Sequence, residues 1–144
     1  SAKDPRDDYG KAKREAEGIV LGSGIPRPVV LRFHTLFGPG LPADRLAARL
    51  ASLERIEVAR PDGVRLSPTH VEDAAEAILK VLESPSISGV FDVAGPEVLT
   101  VGEMARRLGM TGVARDPFPE ERDLAGDPGP LKAALGWASS RRFP

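Results

Sequence analysis

The 144-residue chain has no cysteine, no asparagine and no glutamine. It has one tryptophan, one tyrosine and two histidines. Without cysteine there are no disulfides, thiolate metal sites or cysteine nucleophiles. His34 and His70 alone leave too few ligands for a structural zinc site, so no metal is expected. Charge of one sign is also missing: 20 basic and 21 acidic residues give a net charge of −1. That balance argues against a nucleic-acid binder or a basic membrane-surface protein. No apolar run approaches the roughly 18 residues of a membrane span. The segment Ser1-Ala2-Lys3-Asp4-Pro5 is polar and is no signal peptide. Together with the missing cysteine it points to the cytoplasm. Loss of Asn, Gln and Cys fits a thermophile protein. A GC-rich genome would equally favour Arg, which outnumbers Lys 15 to 5.

What is present fits one folded domain: 41% apolar and 28% charged residues. A chain of this size can bury roughly two thirds of its unfolded surface. Residues 7–20 read as a helix, with Asp7 and Asp8 at its positive end and Gly22, Gly24 and Pro26 as breakers. Residues 28–37, PVVLRFHTLF, read as one buried strand closed by Gly38-Pro39-Gly40. Leucines at helical spacing predict a helix over 43–54, and IEVA predicts a short strand at 56–59. Thr69 and Glu72 fit a capping box opening a helix over 70–83. Val90–Val93 reads as a strand. Thr100 and Glu103 predict a second capping box and a helix through Leu108, and a short helix follows at 130–135. The alternation of helix and strand argues an α/β fold.

Four places could carry chemistry. Tyr9 and Lys13 stand at i, i+4 and share one helix face. A phenol near pKa 10 is a poor acid or base at neutral pH, but a neighbouring ammonium stabilises the phenolate and tunes it for proton exchange. The same pair also reads as a half-exposed Tyr beside a solvated Lys. Phe37–Gly40 follows a strand, where α/β sheets gather ligands, yet it also reads as an ordinary turn. Ser67–Asp73 offers His70 and two carboxylates as an acid/base cluster, or as the first turn of a helix where negative charge is favoured. His34 in its apolar strand reads as a core histidine. Arg122, with Arg115 nearby, could grip a phosphate or be a solvated surface arginine.

The order of these segments carries more than any one of them. The series is Tyr9-Gly-Lys-Ala-Lys13, Leu31-Arg32-Phe-His-Thr-Leu-Phe-Gly38-Pro39-Gly40, Pro68-Thr-His70-Val-Glu-Asp73, Val90-Phe-Asp-Val-Ala-Gly95 through Glu103, and Leu135-Gly136-Trp137. It resembles the second half of an extended short-chain dehydrogenase/reductase, the NAD-dependent epimerase/dehydratase family. The Ser67–Asp73 run leans toward dTDP-4-dehydrorhamnose reductase-like members. The resemblance spans residues 4 to 142.

The resemblance implies the C-terminal half of a Rossmann-type fold, without its first βαβ units, together with a small mixed substrate domain. Residues 1–40 would be the Rossmann tail and 41–69 a substrate-domain insertion. Residues 70–84 would be a helix packing on the Rossmann part, and 85–144 the substrate domain. Tyr9 would be the general acid/base. Lys13 would lower its pKa and bind the nicotinamide ribose. His34 and Pro39 match cofactor-side positions. Thr35, Arg65 and Arg122 match substrate-side positions, with Arg65 one residue off register. The cofactor would be NAD or NADP and the substrate a nucleotide-sugar.

The chain also departs from the family. The glycine-rich G-x-x-G-x-x-G fingerprint and its acidic ribose-binding partner are absent. Ser1 is too close to Tyr9 for the upstream catalytic Ser/Thr, and Thr35 replaces a common Asn. The sequence therefore reads as half an enzyme, a fragment or split form expected to be inactive alone and not to hold the dinucleotide by itself. The alternative is a non-catalytic binding or regulatory subunit. Its strand at 28–35 belongs inside a parallel sheet, so the chain is expected to dimerise, swap elements or take up an N-terminal Rossmann half.

Overall fold

A computed structural model describes residues 8–41, 62–109 and 123–144. The predicted helix at 43–54, the predicted strand at 56–59, Arg115 and Arg122 lie outside them. The described helices are α1 (Asp8–Leu21), α2 (Val71–Leu82), α3 (Val101–Arg107) and α4 (Gly129–Leu135). The strands are β1 (Val29–Phe33), β2 (Leu36–Phe37), β3 (Arg65–Leu66), β4 (Thr69–His70), β5 (Gly89–Val93) and β6 (Leu99–Thr100). The fold is mixed α/β, as the alternation predicts. No described helix is long and apolar enough to cross a membrane.

The frame is the parallel pairing of β1 with β5, in register from Val29 opposite Gly89 to Phe33 opposite Val93. The single strand expected over 28–37 is broken in two. His34 N–H still bonds Val93 O at 3.1 Å, but Thr35 turns to φ 34°. Its carbonyl then accepts Thr69 N–H at 3.1 Å, and β2 continues in parallel with β4. The chain thus changes sheet partner at Thr35, which period-2 patterning cannot reveal. A left-handed φ on a β-branched residue is strained and persists only where its surroundings enforce it.

Helix α2 begins differently from the predicted capping box. Its N-cap is His70, whose Nδ1 accepts Glu72 N–H at 3.2 Å. Thr69 is fully buried, and its hydroxyl lies 3.2 Å from both the Ser67 and Val93 carbonyls. Thr69 therefore serves the strand end, leaving the cap to the next residue. The second capping box forms as predicted. Glu103 N–H bonds Thr100 Oγ1 at 3.1 Å, and Thr100 N–H bonds Glu103 Oε2 at 2.7 Å. Asp127 completes α4 by accepting Gly129 N–H at 2.9 Å.

Among the described residues, two apolar clusters form the interior. One gathers Leu66, Leu99, Val101, Met104 and Phe143 between β3, β6 and α3. The other packs Ala77, Ile87, Val93 and Leu131 where α2 and α4 cover β5. Gly95 lets β5's continuation pass Pro68, because a Cβ there would run into the Pro68 carbonyl.

The segment 139–143 is sewn into this interior. Asp73 is fully buried and accepts the Ser140 and Arg141 N–H groups, each at 2.9 Å. It also accepts the Arg141 guanidinium, which extends to Glu76 and Glu72 at 2.9 Å each. The Ser67–Asp73 cluster is thus structural: His70 caps, Glu72 and Asp73 hold Arg141.

Helix α1 has no buried residue. Its anchor is a two-pronged ion pair in which Arg32 of β1 donates to Glu17 at 2.8 and 2.6 Å. Arg32 holds the Glu17 carboxyl below its usual range.

Two tests follow from these anchors. Asp73→Ala leaves two backbone N–H groups without their acceptor and is expected to cost about 3 kcal/mol in urea unfolding. For Glu17, folding lowers the pKa, so the stabilisation is full above the free value of 4.5. It is lost as pH falls through the folded value. The stability advantage of wild type over Glu17→Gln should therefore shrink on acidification below that value, read from urea midpoints across pH.

Candidate functional site

Tyr9 and Lys13 share a face at the N-terminal part of α1, where i, i+4 spacing brings side chains together. The Lys13 ammonium lies 5.4 Å from the centroid of the Tyr9 ring. Tyr9 is 72% exposed. Glu17 continues the same stripe one turn further, so its pairing with Arg32 sets how α1 is rotated against β1. The connection 22–28 returns the chain from α1 to β1, and Tyr9 lies eight positions before Glu17. At about 1.5 Å per helical residue, Tyr9 stands about 12 Å along α1 from Glu17.

The sheet end that carries His34 and Thr35 is covered by a belt, residues 123–127. Asp123 Oδ1 accepts Arg65 N–H at 2.9 Å, and Leu124 N–H donates to Arg65 O at 2.9 Å. Leu124 forms a parallel bridge with Leu66. Gly126 N–H donates to Ser67 Oγ at 3.2 Å, and Asp127 N–H to Asp92 Oδ2 at 3.1 Å. His34 meets the belt from below: its Nδ1 lies 3.1 Å from Leu124 O, and its Nε2 lies 3.4 Å from Asp92 Oδ1. Gly126 rests on the His34 ring so closely that a Cβ there would collide with it. Burial works against ionisation of Asp92. His34, the Asp127 N–H and Arg32 outweigh it and hold the carboxyl below its usual range.

The candidate residues are therefore distributed as follows. Tyr9 and Lys13 are together and open to solvent. Thr35 sits at the strained break between β1 and β2. His34 faces inward, into the belt. Arg65, on β3, is exposed and reaches the same belt through its backbone. Pro39 is exposed beyond β2, after Gly38, whose φ of 123° and close approach to Val71 and His70 exclude a side chain. His70 is stacked edge-on against Phe37, ring centroids 5.1 Å apart. No group of three or more His, Cys, Asp or Glu side chains among the described residues could hold a metal ion.

Sequence reasoning missed Asp92 and the belt, and named Ser67 only as the start of the Ser67–Asp73 run. The signal for Asp92 was present: a lone carboxylate inside Val90-Phe91-Asp92-Val93 must find a partner when the strand is buried. Nothing in the sequence placed residues 123–127 against a strand end some 90 positions earlier.

A family model described as the RmlD substrate binding domain matches residues 1–119. No curated protein is significantly similar to the chain. Among solved structures, it is similar to RMD from Pseudomonas aeruginosa complexed with NADPH, with a TM-score of 0.77 and 23% identity over 96% of this chain and 53% of that one. It is similar to dTDP-glucose 4,6-dehydratase from Bacillus anthracis in complex with NAD, with a TM-score of 0.80 and 20% identity over 96% of this chain and 49% of that one. It is also similar to ADP-L-glycero-D-manno-heptose-6-epimerase from Helicobacter pylori, with a TM-score of 0.76 and 18% identity over 98% and 49%. The chain spans about half the length of these structures. Its ordered motifs, its mixed α/β fold and the matched residues agree, and the chain belongs to the RmlD substrate binding domain family.

Proposed function

We propose that this chain is the substrate-side half of an NAD(P)-dependent nucleotide-sugar reductase, epimerase or dehydratase, with Tyr9 and Lys13 as its acid/base pair. The observation that supports the reading is the Tyr9–Lys13–Glu17 stripe on one face of α1, held to β1 by the Glu17–Arg32 ion pair. In this role Tyr9 exchanges a proton with a sugar hydroxyl or carbonyl. Lys13, whose ammonium lies over the phenol ring, offers donors to a ribose. Thr35, Arg65 and Arg122 serve the sugar and its diphosphate. His34 and Pro39 belong to the cofactor side of the sheet end, His34 through the belt it supports.

The exposed phenol and ammonium fit the ribose end of a dinucleotide. When bound, the nicotinamide supplies the hydride chemistry. The glycine-rich cradle for the diphosphate end is not among these residues, and the reading assigns it to a Rossmann half outside them. The division into residues 1–40, 41–69, 70–84 and 85–144 follows the same reading, with β5 of the last unit joined to β1 of the first. Exposed apolar residues on α1 and α2, among them Ile19 at 67% and Leu82 at 76%, are suited to contact such a half.

Calorimetry of the chain alone with NADH and NADPH is expected to show no saturable binding. Co-expression with a Rossmann half carrying the fingerprint is expected to restore binding and nucleotide-sugar turnover. In that complex Tyr9→Phe should lower turnover about 100-fold or more with cofactor affinity nearly unchanged, while Lys13→Ala should weaken both. Undiminished turnover by Tyr9→Phe would remove Tyr9 from the chemistry.

A further inference from the structure

The pair His34–Asp92 poses a problem of protons. His34 Nδ1 lies 3.1 Å from the Leu124 carbonyl, which can only accept, so Nδ1 carries a hydrogen. Nε2 then faces Asp92 Oδ1 at 3.4 Å. Both atoms are buried, and neither has a well-formed hydrogen bond to any described residue. A neutral ring would set a lone pair against a carboxylate oxygen, two acceptors in a site with little water. Turning the ring over would put carbon atoms against both oxygens. Only a second proton, between Nε2 and Oδ1, makes both contacts attractive.

We infer that His34 and Asp92 hold one shared proton, and that this proton latches the 123–127 belt over the end of β1 and β5. The belt depends on the pair at two points: Leu124 O is held by His34, and Asp127 N–H by the other oxygen of Asp92. Between them Gly126 lies flat on the ring, where only glycine fits. Removing the proton turns the centre of this arrangement repulsive and loosens the belt at both ends. The other charged groups around the pair are already engaged. Arg32 of β1 is bound by Glu17 of α1. Within the belt, Asp123 accepts Arg65 N–H and Asp127 accepts Gly129 N–H. None of them replaces the missing donor at Nε2. The latch belongs to the fold of this chain and stands whether or not Tyr9 and Lys13 act as acid and base.

The test uses the full 144-residue chain carrying His70→Asn, which keeps a good N-cap and leaves His34 as the sole histidine. Nitrogen-15 NMR reads the ring protons, and amide hydrogen exchange at Leu124, Gly126 and Asp127 reads the belt. Protons on both ring nitrogens are expected wherever the belt amides are protected. As pH is raised, the Nε2–H signal and the protection should disappear together. Protection should fall about tenfold or more after correction for intrinsic exchange. Asp92→Asn supplies an amide donor to a neutral ring while keeping an oxygen for Asp127 N–H. It should leave Nε2 without a proton and keep the belt protected across the same range. An Nε2 lone pair in the Asp92 protein while the belt is protected would overturn the inference. So would protection that does not follow the ring proton. Both readings are made without the Asp92 substitution, so they decide the matter even if Asp92→Asn fails to fold.

Discussion

The parallel pairing of β1 with β5 is the constraint on which the rest depends. It joins residues 60 positions apart in strict register, and every functional candidate on the described sheet is placed relative to its C-terminal end. Arg32, one residue before the end of β1, fixes α1. His34, one residue after it, leads into the belt. Asp92, one residue before the end of β5, receives the belt from the other side. Parallel strands need a long crossover, and here it runs through the β3–β4 region and α2. The pairing is therefore non-local, made between segments distant in the chain.

The elements that were legible in the sequence are those with local causes. Helix α1 follows from acidic residues before a run of good helix formers and glycines after it. Helix α3 follows from Thr100 and Glu103, whose reciprocal bonds involve only their own turn. What stayed hidden is non-local. The break at Thr35 exists because β4 offers Thr69 N–H to a carbonyl turned out of line, and no residue near Thr35 announces it. The shift of the α2 cap from Thr69 to His70 has the same origin: Thr69 is held in β4, its N–H on the Thr35 carbonyl and its hydroxyl turned to the Val93 carbonyl across the sheet, and the helix starts one residue later.

The candidate site shows the same division. Tyr9 and Lys13 were visible because i, i+4 spacing is a property of the helix itself. Their orientation was not, since it rests on Glu17 reaching Arg32 fifteen residues away. His34 stood out as one of only two histidines, but its neighbours did not. The carboxylate it faces comes from β5 and the carbonyl it holds comes from beyond residue 122. The resemblance to the reductase/epimerase family supplied an order of motifs, and the fold confirms that order as architecture. The roles proposed for individual residues come from that resemblance.

The stitching of residues 139–143 bears on how the domain is made. Asp73 receives backbone partners 67 and 68 positions later, and Phe143 enters the same apolar cluster as Phe37 and Leu66. A nascent chain emerging in order presents β1, α2 and β5 long before this closing segment exists. Until it arrives, a carboxylate destined for the interior has no partner, and one wall of the core is open. The domain must therefore wait for synthesis to pass Phe143 before it can close, and during that interval a chaperone would meet an exposed, half-built interior.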